Sequence, residues 1–296
     1  MAPEDQLKVL LVGDSVAFTL GDKGFEGEVA EANGLAFWNQ AILFCELVPG
    51  AHRENDEVRP ASDTCLEWEH DWRRTVELWD PAVSVLQLGA WEIFDREIDG
   101  EWVEFGTPEY DAVLVPVLQR AVDALSSQGA PVVVLTTPPF ERDDGVTTNW
   151  TQNETERTDH FNELLRDLAD ANPDTVRLID LGGFLCPGNE CRDQIDGIEM
   201  RPDGLHYGSA DARLVANWLA PQLRDAIASM TSVPPGGSGS ATRSGGGSTT
   251  TAPPDTEPPD TEPAPDPSTP TTEPDPAPPA AGLELDAGAD VAQATP

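Results

Sequence analysis

Ser15 is the first residue of the chain whose surroundings suit nucleophilic chemistry. It lies in the tripeptide Gly13-Asp14-Ser15, directly after an apolar run at residues 7–12. This order places the hydroxyl at a strand-to-helix turn, near the positive end of the helix dipole. A serine there can act as a nucleophile, and its own N–H can donate to an oxyanion. The alternative is that Ser15 is an ordinary helix cap.

A nucleophilic serine needs a base, and His206 has the most suggestive surroundings of the four histidines. It ends the segment Arg201-Pro-Asp-Gly-Leu-His206, just before the last amphipathic stretch. Asp203 lies three residues earlier, so one short turn can bring its carboxylate to Nδ1–H and leave Nε2 for the serine proton. The alternative is a Pro-Asp-Gly turn followed by a helix-capping histidine. The remaining histidines are predicted to be structural or solvated: His52, His70 and His160.

The segments that must position these residues alternate between apolar runs and amphipathic stretches. Five nearly continuous apolar runs predict parallel strands buried on both faces: residues 7–12, 35–44, 83–88, 131–136 and 176–180. Three longer stretches have apolar residues at helical spacing: 108–128, 154–172 and 209–230. The alternation predicts a doubly wound α/β fold with right-handed connections, whose sites lie beyond the carboxyl ends of the strands.

Charge and composition exclude several classes of function. The 296 residues include 54 acidic and 17 basic ones, giving a net charge of −37, so nucleic-acid partners are excluded by repulsion. No apolar stretch approaches the roughly 18 residues that span a bilayer. The first residues have neither a basic nor an apolar region, so we expect no signal peptide. Without a phosphate-binding glycine loop, or a Cys/His pair to complement Cys186 and Cys191, we expect no cofactor and no metal.

Composition also predicts the domain boundary. Residues 233–296 are rich in Gly and Ser and then in Pro, Thr, Asp and Glu, and they hold 15 of the 28 prolines and no aromatic residue. All eight tryptophans precede residue 219. We therefore expect one globular catalytic domain over residues 1–232 and a disordered tail over residues 233–296. The tail is interpreted either as a spacer or stalk or as a dispensable segment.

Gly-Asp-Ser after the first strand, combined with Asp-x-x-His before the last helix, resembles the SGNH (GDSL-type) hydrolases. Further segments are similar to the SGNH domains appended to bacterial membrane acyltransferases: Gly89-Ala-Trp-Glu-Ile-Phe-Asp-Arg96, Asp99-Gly-Glu-Trp102, Gly106-Thr-Pro108, Leu185-Cys-Pro187, Asp196-Gly197 and Arg201-Pro-Asp-Gly204. The resemblance covers residues 7–225. It implies a three-layer α/β/α sandwich with a mostly five-stranded parallel sheet, SGNH- or flavodoxin-like. It also implies that Ser15 is the nucleophile, His206 the base and Asp203 its orienting partner.

Two positions depart from the family pattern of oxyanion donors. The family uses a Gly after the second strand and an Asn in a Gly-x-Asn motif after the third, where this chain has Phe44 and, in Gly89-Ala-Trp91, a tryptophan. We expect an oxyanion hole formed by Ser15, Phe44, Gly89 and Trp91. In it the Phe44 N–H serves as a main-chain donor and the Trp91 indole N–H replaces the amide. Because losing one donor costs about 100- to 1,000-fold in rate, the hole is weaker or built differently.

The resemblance implies a serine esterase or O-acyltransferase that forms an acyl-enzyme with acyl, often acetyl, esters of carbohydrate or small substrates. Four tryptophans near the predicted strand ends have faces that suit sugar rings, with core packing as the alternative: Trp38, Trp91, Trp102 and Trp150. The alternative function is a catalytically inactive glycan-binding or scaffold module tethered by its tail. We expect a monomer, with a separately encoded membrane acyltransferase as a candidate partner.

The four cysteines bear on the compartment in which the protein works. They allow three pairings, and proximity favours Cys186 with Cys191 and Cys45 with Cys65. If both bonds form, the protein works in an oxidising compartment. An extracytoplasmic location, secreted or at the cell surface of a bacterium, is therefore favoured despite the missing signal peptide. The alternative is a cytoplasmic enzyme with four reduced cysteines.

Overall fold

A computed structural model of the chain describes residues 6–25, 27–55, 57–147 and 149–231. The predicted tail, residues 233–296, lies outside the described residues. The strands are β1 (Leu7–Gly13), β2 (Leu35–Asn39), β3 (His52–Glu54), β4 (Glu57–Arg59), β5 (Val83–Gln87), β6 (Arg96–Ile98), β7 (Glu101–Val103), β8 (Val132–Leu135), β9 (Val176–Ile179), β10 (Gln194–Ile195) and β11 (Ile198–Glu199). The helices are α1 (Ser15–Gly24), α2 (Glu28–Ala32), α3 (Trp68–Trp79), α4 (Pro108–Leu125), α5 (Thr155–Ala171), α6 (Leu181–Leu185) and α7 (Ser209–Thr231).

The central sheet has five parallel strands in the order β2-β1-β5-β8-β9. The chain moves from β1 to β2 in one direction, and then crosses to β5, β8 and β9 in the other. Right-handed crossovers therefore place α1 and α2 on one face and α3, α4 and α5 on the opposite face. Helix α7 packs against α1 and completes that layer. The three-layer α/β/α architecture and the five-stranded parallel sheet are confirmed.

Burial of the strands explains why their apolar runs are nearly continuous. All five residues of β5 and all four of β8 are buried, because helices cover both faces of the sheet. The three long predicted helices begin within one residue of their expected starts and end within three of their expected ends.

The second strand is shorter than predicted. It ends at Asn39, and residues 40–44 do not continue it as expected. The N–H groups of Gln40 and Ile42 still donate to carbonyl groups of β1, and the chain then turns sharply, with the Cys45 N–H donating to the Ile42 carbonyl at 3.3 Å. Apolar character alone does not distinguish the end of a buried strand from a turn that follows it.

A second sheet stands beyond the carboxyl edge of the first. It is antiparallel, with the strand order β4-β3-β6-β7, and it was not predicted from the sequence. Its strand β3 follows the loop after β2, and β6 follows the loop after β5, so both loops are anchored at their far ends. Strands β10 and β11 form a separate hairpin that precedes the last helix in the sequence. Between β1 and β5 the strand order reverses, and such switch points are where α/β sheets bind ligands.

Candidate active site

Ser15 is the first residue of α1, at the carboxyl end of β1. Gly13 has a φ of +143°, and a Cβ there would lie 1.8 Å from the carbonyl oxygen of Gln87, so only glycine fits where the chain turns. Asp14 caps the helix, because its Oδ1 accepts the N–H of Val16 at 2.9 Å. The cap is therefore Asp14 and not Ser15, and the helix-cap alternative for the serine is wrong.

Ser15, His206 and Asp203 form one continuous hydrogen-bonded line. The Oγ of Ser15 lies 2.9 Å from Nε2 of His206, and Nδ1 of His206 lies 2.8 Å from Oδ2 of Asp203. The structure thus brings together three residues from opposite ends of the domain. With Nδ1–H donating to the carboxylate, Nε2 is left to accept the serine proton. This order of groups is the one that activates a serine hydroxyl.

Local hydrogen bonds organise the Asp203–His206 arm, which comprises residues 203–206. The Oδ1 atom of Asp203 accepts the N–H groups of Leu205 at 2.9 Å and of His206 at 2.6 Å. Partial burial acts to raise the pKa of Asp203, but hydrogen bonds from the side chain and backbone of His206 outweigh it and hold that pKa well below its usual range. The carboxylate is therefore charged at neutral pH and can stabilise an imidazolium beside it.

Arg201 anchors the turn that carries Asp203. Its φ of +44° is disfavoured for a residue with a side chain, so contacts must hold it. The buried guanidinium donates to the carbonyl of Pro139 at 2.8 Å and lies 3.1 Å from Sγ of Cys191 and 3.4 Å from Sγ of Cys186. These two cysteines are disulfide-bonded. The Arg201 N–H donates to a carboxylate of α7 at 2.9 Å. The arm is thus fixed by an arginine, a short disulfide loop and the last helix.

Phe44 lies in the tight turn after β2 and has a φ of +60°, a conformation that favours glycine. The turn sits beside the nucleophile, because the Ile42 N–H donates to the Gly13 carbonyl at 2.9 Å. The Thr64 hydroxyl binds the Phe44 carbonyl at 3.0 Å from the other side. The N–H groups of Ser15 and Phe44 have no acceptor among the described residues, so both are available to an oxyanion.

Gly89 and Trp91 are the other two predicted oxyanion donors. The N–H of Gly89 donates to Oε2 of Glu92 at 3.1 Å, so it is already engaged. The indole N–H of Trp91 is buried and has no acceptor among the described side chains and backbone. The N–H is closed to solvent in this structure, and the replacement of the amide by the indole stays a prediction. The Trp91 ring packs against the Phe44 ring, with centroids 5.8 Å apart.

Two buried carboxyl groups near Ser15 were not predicted from the sequence. Asp14 and Glu92 are both fully buried, and Oδ2 of Asp14 accepts the N–H of Ala90 at 3.0 Å. Burial raises the pKa of Asp14 to about 6 and that of Glu92 to about 7, against the backbone hydrogen bonds that each accepts. The available signal was a single acidic residue within an otherwise apolar stretch at each strand end, which is a common mark of a buried functional or structural charge.

The tryptophans predicted as sugar platforms have partners within the protein. Arg142 lies 3.6 Å over the ring of Trp150, and an arginine of β3 lies 4.1 Å over that of Trp102. Trp38 packs edge-on against Trp79. One face or edge of each ring is thus occupied, which favours the packing alternative.

The other histidines make contacts away from the Ser15 hydroxyl. His52 is buried against Trp91 and Phe94, His160 pairs with Asp111 at 2.8 Å, and His70 is exposed. Within residues 6–25, 27–55, 57–147 and 149–231, no group of three or more His, Cys, Asp or Glu side chains is arranged to hold a metal ion. No helix in that part of the chain is both long and apolar enough to cross a membrane.

A parallel α/β/α sandwich with a serine after β1 and an Asp-x-x-His segment before the last helix is an arrangement typical of α/β hydrolases. The family model described as an SGNH domain (fused to AT3 domains) matches residues 2–221. The chain therefore belongs to the SGNH hydrolase family, whose members act on ester bonds, and it is an ester-bond hydrolase. No curated protein sequence matches the chain.

Solved structures with a similar fold include esterases and a lipase. An acetyl xylan esterase, AlAXEase, is 20% identical with a TM-score of 0.47, over 73% of this chain and 100% of its own. Est24, a carbohydrate acetylesterase from Sinorhizobium meliloti, is 14% identical with a TM-score of 0.48, over 74% and 99%. A GDSL-like lipase from Bacteroides thetaiotaomicron is 13% identical with a TM-score of 0.49, over 75% and 88%.

Proposed function

We propose that the protein is a serine esterase that removes or transfers O-acyl groups, acetyl in particular, on carbohydrate or small ester substrates. The observation that carries the proposal is the line from Ser15 Oγ to His206 Nε2 at 2.9 Å and from His206 Nδ1 to Asp203 Oδ2 at 2.8 Å. Ser15 is the nucleophile in this proposal, His206 the general base and Asp203 the carboxylate that orients it.

Acylation begins with attack of the Ser15 oxygen on the ester carbonyl carbon. His206 takes the serine proton on Nε2 as the new C–O bond forms, and Asp203 stabilises the imidazolium. The carbonyl oxygen becomes an oxyanion, which the N–H groups of Ser15 and Phe44 stabilise. Collapse of the tetrahedral intermediate breaks the bond to the alkoxy group, which leaves as an alcohol with the proton from His206. The acyl group remains on Ser15.

Deacylation repeats these steps with a second oxygen nucleophile. His206 removes a proton from water or from an acceptor hydroxyl, that oxygen attacks the acyl carbon, and Ser15 recovers its proton. Water yields a free acid, whereas a sugar hydroxyl yields a new ester. Hydrolysis and transfer thus share one acyl-enzyme and one set of residues, and the acceptor alone distinguishes them.

The aromatic pair of Phe44 and Trp91 supports a short acyl group. Phe44 supplies a proposed oxyanion donor, so its own side chain lies close to the carbonyl that is attacked. The ring is 55% exposed and is packed against Trp91. We expect the Phe44 ring, where the family has glycine, to leave less room for the acyl chain. Rates should therefore fall from acetyl to butyryl to octanoyl esters of one leaving group.

Several properties of the whole protein remain predictions. The two disulfide bonds, Cys45–Cys65 and Cys186–Cys191, support an oxidising and hence extracytoplasmic compartment. The catalytic domain over residues 1–232, the monomeric state and a separate membrane acyltransferase as partner are proposed on the sequence resemblance.

The test is hydrolysis of a chromogenic acetyl ester by the wild type and by Ser15→Ala. We expect Ser15→Ala to lose activity to background while its melting temperature stays within a few degrees of the wild type. Ser127→Ala is a matched control, because this exposed serine lies beyond the end of α4 at the opposite edge of the sheet. A serine-directed phosphonate should label Ser15 alone. Equal rates for all three proteins would remove the proposal.

A catalytically inactive glycan-binding module is the second candidate. The observation that favours it is the loss of a side-chain oxyanion donor, because Trp91 replaces the family asparagine and its indole N–H is buried. Such a module would bind an acetylated oligosaccharide with the same affinity in the wild type and in Ser15→Ala, with no acetate released by either. Release of acetate by the wild type alone would exclude it.

A further inference from the structure

We propose that Glu92 is a positioning residue whose single carboxylate holds together the two loops on the oxyanion side of the site. The inference rests on the proposed function, because it concerns the geometry in which the Phe44 N–H meets the reacting carbonyl. Glu92 itself touches no reacting atom. It acts through the loop after β2, which carries Phe44, and the loop after β5, which carries Trp91.

The two oxygens of Glu92 bind one backbone N–H from each loop. Oε1 accepts the N–H of Leu47 at 3.2 Å, and Oε2 accepts that of Gly89 at 3.1 Å. Leu47 lies three residues after Phe44. The residue after Gly89 donates to Asp14, which precedes the nucleophile. The Glu92 side chain therefore links the loops after β2 and β5, and the Asp14 side chain joins the loop after β5 to the turn that carries Ser15.

The chemistry of the group matches this role. A carboxylate has acceptor sites on both oxygens, whereas a glutamine amide of the same shape has one accepting oxygen and an NH₂ group that donates. Here the two N–H groups approach different oxygens, an arrangement that suits the ionised acid, whereas an amide would turn its NH₂ group toward one of them. The guanidinium of Arg96 instead donates to Glu46 at 2.7 Å and to the carbonyl groups of Trp91 at 2.8 Å and Gly50 at 3.1 Å. Both Glu92 oxygens are thus left for the loops.

The backbone of Glu92 is fixed as well, because its carbonyl accepts the Tyr110 hydroxyl of α4 at 2.8 Å. A buried carboxylate without a direct ion pair is expensive to keep charged, since burial removes its hydration. An apolar residue would fill the same space at lower cost. An acid retained at such a position supports a functional requirement for its two acceptor oxygens.

Protonation should therefore loosen the site. A protonated carboxyl turns one oxygen into an O–H donor, so one of the two N–H groups loses its acceptor. The groups that face Glu92 are Asp14 from the turn after β1, Arg96 from β6 and Tyr110 from α4, with Glu46 beyond Arg96. Burial comes first and the negative charge of Asp14 second in raising the pKa of Glu92 to about 7, while Arg96 opposes them.

The experiment compares Glu92→Gln with Asp95→Asn in the full-length protein. Asp95 lies three residues further along the same loop and also accepts a backbone N–H, that of Phe105 at 3.0 Å, but it binds neither loop segment that flanks Ser15. We expect kcat for a chromogenic acetyl ester to fall by about 10- to 100-fold in Glu92→Gln, because sub-ångström to ångström displacements of a catalytic group have effects of this size. KM should change less than threefold. Asp95→Asn should keep kcat within twofold, even if its melting temperature falls.

The pH profile separates positioning from mere stability. In the wild type the acid limb of log kcat should include the ionisation of Glu92, and in Glu92→Gln this limb should be less steep. Unchanged kcat and an unchanged acid limb in Glu92→Gln would overturn the proposal. Its failure differs from failure of the proposed function, in which Ser15→Ala would retain wild-type activity.

A measurement on the wild type keeps the proposal testable if Glu92→Gln does not fold. The amide proton resonances of Leu47 and Gly89 should titrate together between pH 5 and 8 with a common midpoint, because both N–H groups bind one carboxyl. The N–H of Phe105, which binds Asp95 and not Glu92, provides the control resonance. Absence of titration at Leu47 and Gly89 would overturn the proposal.

Discussion

The two sides of the site use carboxylates in opposite ways. On the nucleophile side, Asp14 and Glu92 are fully buried, and burial raises the pKa of each. On the other side, the Asp203 side chain is 55% exposed, and hydrogen bonds from His206 hold its pKa below the usual range. All three carboxyl groups accept hydrogen bonds from backbone N–H groups. The opposite directions of their pKa shifts therefore follow from the degree of burial and from the hydrogen bond that His206 donates to Asp203. The buried acids bind the backbone, whereas Asp203 binds the imidazole that we propose as the general base.

The supports of the two sides differ as well. Interior hydrogen bonds at the switch point between β1 and β5 hold the nucleophile and oxyanion loops. The Asp203–His206 arm is held from outside the sheet by Arg201 and the Cys186–Cys191 loop. Changes to the first set should therefore affect stability and rate together, and changes to the second should affect rate more selectively. The following predictions test this difference.

The largest fall in kcat should come from changes to the proposed base and to the carboxylate that orients it. His206→Ala should lower kcat by about 10⁴-fold or more. The loss in Asp203→Asn should be roughly 10- to 100-fold smaller than that in His206→Ala, because the proposed base transfers the proton and the carboxylate only orients the base. The measurement is steady-state hydrolysis of an acetyl ester at fixed pH, with melting temperatures as a control for folding. A larger loss in Asp203→Asn than in His206→Ala would reverse the assigned roles.

The disulfides should stabilise in the order of their loop lengths. Cys45–Cys65 closes a separation of 20 residues and Cys186–Cys191 one of 5. On the chain-entropy model, replacing both cysteines of a pair by serine should cost about 3 kcal/mol for the longer loop and about 2 kcal/mol for the shorter. Denaturant unfolding of the two double variants measures this. A greater loss for the shorter loop would show that its contacts with Arg201 outweigh chain entropy.

Stability should depend on pH through the buried acid. A carboxyl whose pKa is raised on folding keeps its proton in the folded state while the unfolded state has lost it, so its contribution falls as pH rises from about 4.5 to 7. Between pH 5 and 7 the wild type should therefore lose about 2 kcal/mol of unfolding free energy relative to Glu92→Gln, whose side chain does not titrate. Because the charges of Asp14 and Glu92 interact, the titration of Asp14 also differs between the two proteins and forms part of the measured difference. A pH-independent difference between the two unfolding curves would contradict the raised pKa of Glu92.

The smallest effect should come from weakening the support of the Asp203 arm. Arg201→Lys keeps the charge but loses the planar fork that reaches both the Pro139 carbonyl and the disulfide sulfurs. We expect kcat to fall about tenfold with KM nearly unchanged, because a displaced turn misaligns His206 with Ser15. Arg73→Lys, on the exposed face of α3, is the control and should behave as the wild type. A KM effect alone would indicate that Arg201 binds substrate.

Short-range sequence patterns determined the positions of the central strands and of the two turns that carry Ser15 and Asp203. Nearly continuous apolar runs predict strands buried on both faces, and all five central strands form where these runs occur. The segments Gly13-Asp14-Ser15 and Asp203-Gly-Leu-His206 predict two turns whose geometry depends on neighbouring residues. The order of these segments along an alternating α/β chain also predicts that their ends meet at one edge of the sheet.

Tertiary structure alone decided the oxyanion side. The three-residue strands of the second sheet are too short and too polar to show a period, and β3 pairs with β6 at His52 and Arg96, which are distant in sequence. Whether a backbone N–H is free depends on an acceptor elsewhere, as the Gly89 N–H shows by binding Glu92. Glu92 joins loops 45 residues apart through Leu47. Such long-range bonds depend on which groups share a buried space after folding, so an acidic residue within an apolar stretch indicates burial but does not identify its partners.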